Sequence, residues 1–185
     1  MPDKPTAVTP EPWRAFLIAL DESLGEPVQL HCIGGFVVTL LYGLSRETSD
    51  LDILTAVPHD RLADLQRIAG ASSDLHRRFK VYLQAVPIAM YPEDYAARLI
   101  PMCADLDLRR LGVFGLEAHD LALSKLERNL DRDRQDVQAL ASSAFINEAT
   151  LLERYAKEYR PNLASGEKKL DLTMKLWVEM CWPAN

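Results

Sequence analysis

The apolar positions of the chain alternate between helical and extended periods up to about residue 115, and are helical alone after it. Trp13, Phe16, Leu17 and Leu20 recur every three or four residues, which predicts a helix over 13–24 with one buried face, stopped by Gly25-Glu26-Pro27. VQLHCI (28–33) reads as a strand. Phe36–Tyr42 is apolar on nearly all sides and predicts a buried helix with Gly43 as its C-cap. A second strand opens at Asp50. His59–Ala69 follows as a surface helix, with Leu62, Leu65, Ile68 and Ala69 facing inward. DLHRRFK (74–80) reads as a basic, solvated turn, Lys80–Met90 as a strand, and 91–100 as a short connection with helix-favouring acids Glu93 and Asp94. RRLGVFG (109–115) is another strand candidate. Helical patterns then cover 117–130, 131–140, 147–159 and 166–181, the last with Leu170, Met174, Trp177, Val178 and Cys181 on one stripe. Residues 1–12, rich in Pro and Thr, read as a loose arm.

The stretch 33–54, IGGFVVTLLYGLSRETSDLDIL, holds the densest candidate chemistry. On a strand, residues two apart share a face, so Asp50 and Asp52 present two carboxylates side by side while Leu51 and Ile53 turn to the core. Two such charges repel, and a shared cation removes the conflict. Hard oxygen ligands suit Mg²⁺, which binds through one or two carboxylates plus substrate phosphates. Upstream, Gly34-Gly35 stands between a strand and a helix. Glycine lets a backbone approach a phosphate, and a helix N-terminus favours anions. Arg46 reads equally as a structural ion pair to one of the aspartates or as a triphosphate contact.

Gly34-Gly35, the helical spacer, Arg46-Glu47-Thr48 and Asp50-Leu51-Asp52 resemble, in order and spacing, the signature of the DNA polymerase beta-like nucleotidyltransferases. More narrowly, they resemble the AbiEii-type members, many of them toxins of toxin–antitoxin systems. A second stretch extends the likeness. Lys125 lies on a stripe with Ala118, Leu121, Ala122, Leu126 and Asn129, where a lysine needs a carboxylate or a phosphate as partner. Arg132-Asp133-Arg134-Gln135-Asp136-Val137-Gln138-Ala139-Leu140 then resembles that family's second motif, with Asp133 and Asp136 on one helix face. Without the resemblance, the same residues read as a charged helix–turn–helix surface with Asp131 or Asp133 as N-cap.

The resemblance implies an α+β fold: a small mixed β-sheet flanked by helices, with a C-terminal helical part. It divides the chain into a nucleotidyltransferase core over 1–115 and a helical part over 116–185 packed on it. It implies nucleotide contacts from Gly34, Gly35, Arg46, Thr48 and Lys125, and Mg²⁺ or Mn²⁺ on Asp50 and Asp52. Either Asp133 or Asp136 would complete the site. The substrates implied are an NTP and a hydroxyl acceptor on RNA, notably tRNA, or on protein, and a cognate antitoxin is the implied partner. One departure stands out. Many superfamily members carry a third carboxylate on the strand that corresponds to 80–90, where this chain has Tyr82, Gln84 and Val86 on one face and no acid. This departure keeps open a nucleotide- or partner-binding protein without turnover, and the acidic balance of the chain agrees with a second alternative, an enzyme with a small-molecule, aminoglycoside-like acceptor.

Composition narrows the picture further. A length of 185 residues, 48% hydrophobic and 26% charged, fits a globular chain with a real core. A net charge of -6 gives no general attraction to nucleic acid, so RNA contact would need a local patch among Arg77, Arg78, Lys80, Arg109 and Arg110. Cys32, Cys103 and Cys181 have no paired spacing, which disfavours zinc and a disulfide framework. The N-terminus lacks a signal-peptide core and no apolar run is long enough for a membrane, so a cytoplasmic location without membrane attachment is expected. The last helix offers a surface for a second copy.

Overall fold

The computed structural model describes residues 8–44, 47–86 and 89–183. These fall into two compact units, one within 1–87 and 99–115, the other within 88–98 and 116–185. The fold is α+β: a five-stranded mixed sheet with flanking helices, and further helices toward the C-terminus. Among the described residues, no helix is long and apolar enough to cross a membrane.

The first unit holds the sheet. Its strands are β1 (Val28–Ile33), β2 (Asp50–Val57), β3 (Tyr82–Ala85), β4 (Ile100–Pro101) and β5 (Leu111–Gly115), in the order β3-β2-β1-β5-β4. β1 runs antiparallel to β2 and parallel to β5, β2 runs parallel to β3, and β4 is antiparallel to β5. The β1–β2 ladder pairs His31 with Thr55 and Cys32 with Ile53, so Leu54 is an extra residue in a bulge. Burial along β2 shifts phase at the same point: Leu51, Ile53 and Ala56 are buried.

Helices α1 (Trp13–Ser23), α2 (Gly34–Tyr42), α3 (Leu62–Ala69) and α4 (Asp74–Phe79) cover this sheet. Phe16, Leu17 and Leu20 of α1 are fully buried, each contributing about 1.5–3 kcal/mol through the apolar area removed from water. Trp13 meets Phe36 of α2 with ring centroids 4.7 Å apart, and Phe16 meets Phe79 of α4. The C-terminal end of α1 is fastened by Asp21. Its carboxylate accepts the backbone N–H groups of Arg109, Arg110 and Leu111, the last two at 2.7 Å. Burial alone would raise the Asp21 pKa, but these three donors hold it below the ordinary value.

Three expectations are corrected here. Residues 74–79 form a helix rather than a turn: the Ser73 hydroxyl accepts the His76 N–H as an N-cap, and Phe79 packs inward on Phe16. The strand expected over 80–90 is only β3, four residues long; Pro87 and Ile88 lie outside the described residues. The arm is not loose where it is described. Thr9 is buried, and its N–H and hydroxyl both donate to the Asp105 carboxylate, at 3.0 and 2.6 Å.

The second unit contains a 3₁₀ segment Glu93–Arg98 and helices α5 (Ala118–Leu123), α6 (Asp131–Ser142), α7 (Glu148–Arg154) and α8 (Glu167–Cys181), with a π-helical turn Tyr155–Tyr159 after α7. Its core includes Leu121, Leu126, Val137, Leu140, Leu151, Tyr159 and Trp177. The Trp177 indole N–H donates to Asn129 Oδ1 at 2.9 Å, tying α8 to the α5–α6 connection. A chain of ion pairs runs beside this core. Arg98 spans Asp120 and Glu158, and Arg154 joins Asp120 to Glu117. His119 Nε2 accepts the Asn147 N–H, which leaves the ring proton on Nδ1, facing Glu117 Oε1 at 2.8 Å.

Burial raises the Glu117 pKa, but His119 and Arg154 outweigh it and bring it down from 4.5 to about 2. A depressed carboxylate stabilises the fold above its unfolded pKa and loses that contribution as pH falls through the folded one. Acidification from pH 4.5 to about 2 is therefore expected to remove about 3 kcal/mol. Urea unfolding at stepped pH checks this, and Glu117→Gln should flatten the profile across that window.

Candidate active site

The end of β1, the start of α2 and the start of β2 meet in one corner of the first unit. Ile33, the last residue of β1, pairs with Asp52 of β2. The next residue, Gly34, opens α2 with φ +78°, and a Cβ built there would stand 2.1 Å from Asp52 Oδ2. Only glycine allows the helix to begin this close to the carboxylate. At Gly35 the neighbour is Thr48, whose Cβ would lie 3.4 Å from an added methyl. The opening N–H groups of α2 have no partner within the helix, and the residue before it, Ile33, has no side-chain acceptor to offer them. Gly43 closes α2 in the left-handed region at φ 67°, as a C-cap.

Asp50 and Asp52 are both half-buried, on the opposite face of β2 from the fully buried Leu51 and Ile53. Thr48 Oγ1 donates to Asp50 Oδ1 at 2.5 Å and so fixes the orientation of that carboxylate. Gly34, Gly35, Thr48, Asp50 and Asp52 are thus brought together. Arg46 lies outside the described residues. On β3, Gln84 is paired in register with Asp52, and Tyr82 with Asp50. The place of a neighbouring-strand carboxylate is held by an exposed amide, whose Oε1 accepts the Tyr82 hydroxyl at 3.3 Å.

The second motif forms a cluster of its own within the second unit. Lys125 is 4% exposed, Asp136 5% and Asp133 0%. Lys125 Nζ donates to Asp136 Oδ2 at 3.0 Å and lies 3.7 Å from Asp133 Oδ1. The sequence demanded an anionic partner for this buried ammonium, and here it has two. Asp133 also takes a two-pronged contact from Arg128, Nε to Oδ2 at 2.8 Å and Nη2 to Oδ1 at 2.5 Å, and it accepts the Leu130 N–H. Burial pushes the Asp133 pKa up, but these donors and the charge of Lys125 hold it below the ordinary value. The N-cap of α6 is Leu130, not an aspartate; Asp133 reaches back to it from the third helical position. Asp131 stays exposed in an ion pair with Arg134.

The family described as "nucleotidyltransferase of unknown function (DUF6036)" matches residues 17–179. The chain belongs to this family. No curated protein and no solved structure matches it. Membership in a nucleotidyltransferase family spans both clusters, since the matched segment runs from α1 through almost all of α8.

For this nucleotidyltransferase the fit of a divalent cation rests on Asp50 and Asp52. Among the described residues no group of three or more His, Cys, Asp or Glu side chains is disposed to hold a metal. Two carboxylates are the protein's share in sites where substrate phosphates supply further oxygens, so the residues present fit Mg²⁺ bound together with a nucleotide. Arg128 is the residue of the second cluster that sequence reasoning missed. Its contact with Asp133 joins the turn after α5 to the first turn of α6, and nothing in the sequence pattern marks it. His31 is a buried strand residue with its pKa lowered by burial, and does not enter the site.

Proposed function

We propose that this nucleotidyltransferase moves a nucleotide from an NTP, with Mg²⁺ or Mn²⁺ held by Asp50 and Asp52, onto a hydroxyl of an RNA such as tRNA, or of a protein. The approach of Gly34 to the Asp52 carboxylate carries the reading. It brings a glycine backbone at a helix start within one contact of a strand carboxylate, which is what a triphosphate cradle beside a cation would require. Gly34 and Gly35 would cradle the triphosphate with backbone N–H groups, and Thr48 would keep Asp50 turned to the cation through its hydrogen bond. When bound, the cation would neutralise charge on the phosphates and polarise the α-phosphate. In the reaction the acceptor oxygen bonds to the α-phosphorus, pyrophosphate departs, and the hydroxyl proton is released. What this chain supplies is mainly positioning and electrostatics. By resemblance Lys125 is the phosphate contact, with Asp133 or Asp136 as the completing acid, and the same resemblance suggests a toxin neutralised by a cognate antitoxin.

The test is transfer from each of the four radiolabelled NTPs, with Mg²⁺ or Mn²⁺, to total RNA and cell protein, using Asp52→Ala as control. Label on RNA or protein that disappears in the control is the expected result. Gln84 beside Asp52 favours a second reading, a nucleotide binder without turnover. Nucleotide affinity with no labelled product in any lane would select it.

A further inference from the structure

Helix α8 buries one face and shows another to solvent. Leu170, Thr173, Met174 and Trp177 are buried, whereas Leu172 and Leu176 are 57% and 53% exposed. Being four residues apart, the two leucines stand one above the other on the same face. Lys169 precedes Leu172 by three residues and Glu179 follows Leu176 by three, and both are exposed. Lys169-Leu172-Leu176-Glu179 is therefore a 3-4-3 stripe, the spacing of the a and d positions of a heptad seam.

The stripe is apolar in the middle and oppositely charged at its ends. Such a sequence complements itself only when reversed. We propose that α8 joins two copies of this chain, antiparallel about a two-fold axis at the level of Met174. Leu172 then lies against the partner's Leu176, and Lys169 lies opposite the partner's Glu179, each contact occurring twice. A parallel arrangement would instead stack lysine on lysine and glutamate on glutamate. Lys175, near the axis, has a counter-charge on its own helix, with Nζ 3.9 Å from Glu179 Oε1. The contact is isologous and closes at two copies. It is also small: one face of a 15-residue helix falls at the low end of specific interfaces, below about 1,200 Å², so the dimer is weak and concentration-dependent.

Sedimentation equilibrium of the full chain over a wide concentration range tests this. A reversible monomer–dimer equilibrium is expected, abolished by Leu172→Asp with Leu176→Asp, while circular dichroism of that variant stays unchanged because both leucines are exposed. Lys169→Glu alone and Glu179→Lys alone should each weaken dimerisation about tenfold, and the double charge swap should restore it. A monomer at every concentration would overturn the proposal. So would a dimer that survives the leucine variant, or a double swap no better than the single ones.

Discussion

Gly34→Ala is expected to lower nucleotidyl transfer by ~10²-fold or more, because a methyl group there drives Asp52 out of place. The new Cβ would sit 2.1 Å from Asp52 Oδ2, and the carboxylate has to move. The left-handed backbone at φ +78° adds a stability cost of about 1–2 kcal/mol for any residue with a Cβ. Two companion variants separate these effects. Gly43→Ala carries the same backbone penalty at φ +67° with nothing within 4 Å of the new atom, so it should lower Tm and keep kcat/KM. Gly35→Ala meets only Thr48, at ordinary contact distance, and should retain most activity. If Gly34→Ala transfers as well as Gly43→Ala, the geometry of Asp52 is not what limits the reaction.

Lys125→Met should be the most destabilising single change near the second motif, by about 3–5 kcal/mol. It leaves the buried Asp136 and Asp133 without the ammonium they share. Loss of transfer in this variant would say little, since unfolding accounts for it. Replacing both members of the pair, Lys125→Met with Asp136→Leu, removes the uncompensated charge and is expected to recover most of the lost stability. Transfer measured in that folded double variant is the informative number. The expected result is a stable protein without activity; wild-type activity would make the pair purely structural.

The sequence disclosed the parts of the fold that depend on neighbours in the chain. The β1–α2 junction was legible because an apolar run, two glycines and a second apolar run leave few other readings. β2 was legible from the alternation of Asp50, Leu51, Asp52 and Ile53. The hidden parts depend on partners far away in sequence. Thr9 is held by Asp105, 96 residues on, and Asp21 caps backbone near residue 110. α4 was obscured because its single inward aromatic, Phe79, is surrounded by basic residues, and because it ends at Lys80 in the left-handed region, with no glycine to mark the stop. β4 is two residues long and includes a proline. At the site, the acid pair and the glycines could be read directly. The contact between Gly34 and Asp52, and the hold of Arg128 on Asp133, needed three dimensions.

The bulge at Leu54 also bears on how this family can diverge. One residue there is surplus to the ladder, and the inward-outward alternation restarts beyond it. A relative lacking that residue would regain an unbroken two-residue period with its acids still facing the same way. A one-residue insertion or deletion between Asp50 and Asp52 has no such outlet, because it would turn one carboxylate into the core. Length variation along this strand is therefore expected to collect at the bulge and to be absent between Asp50 and Asp52.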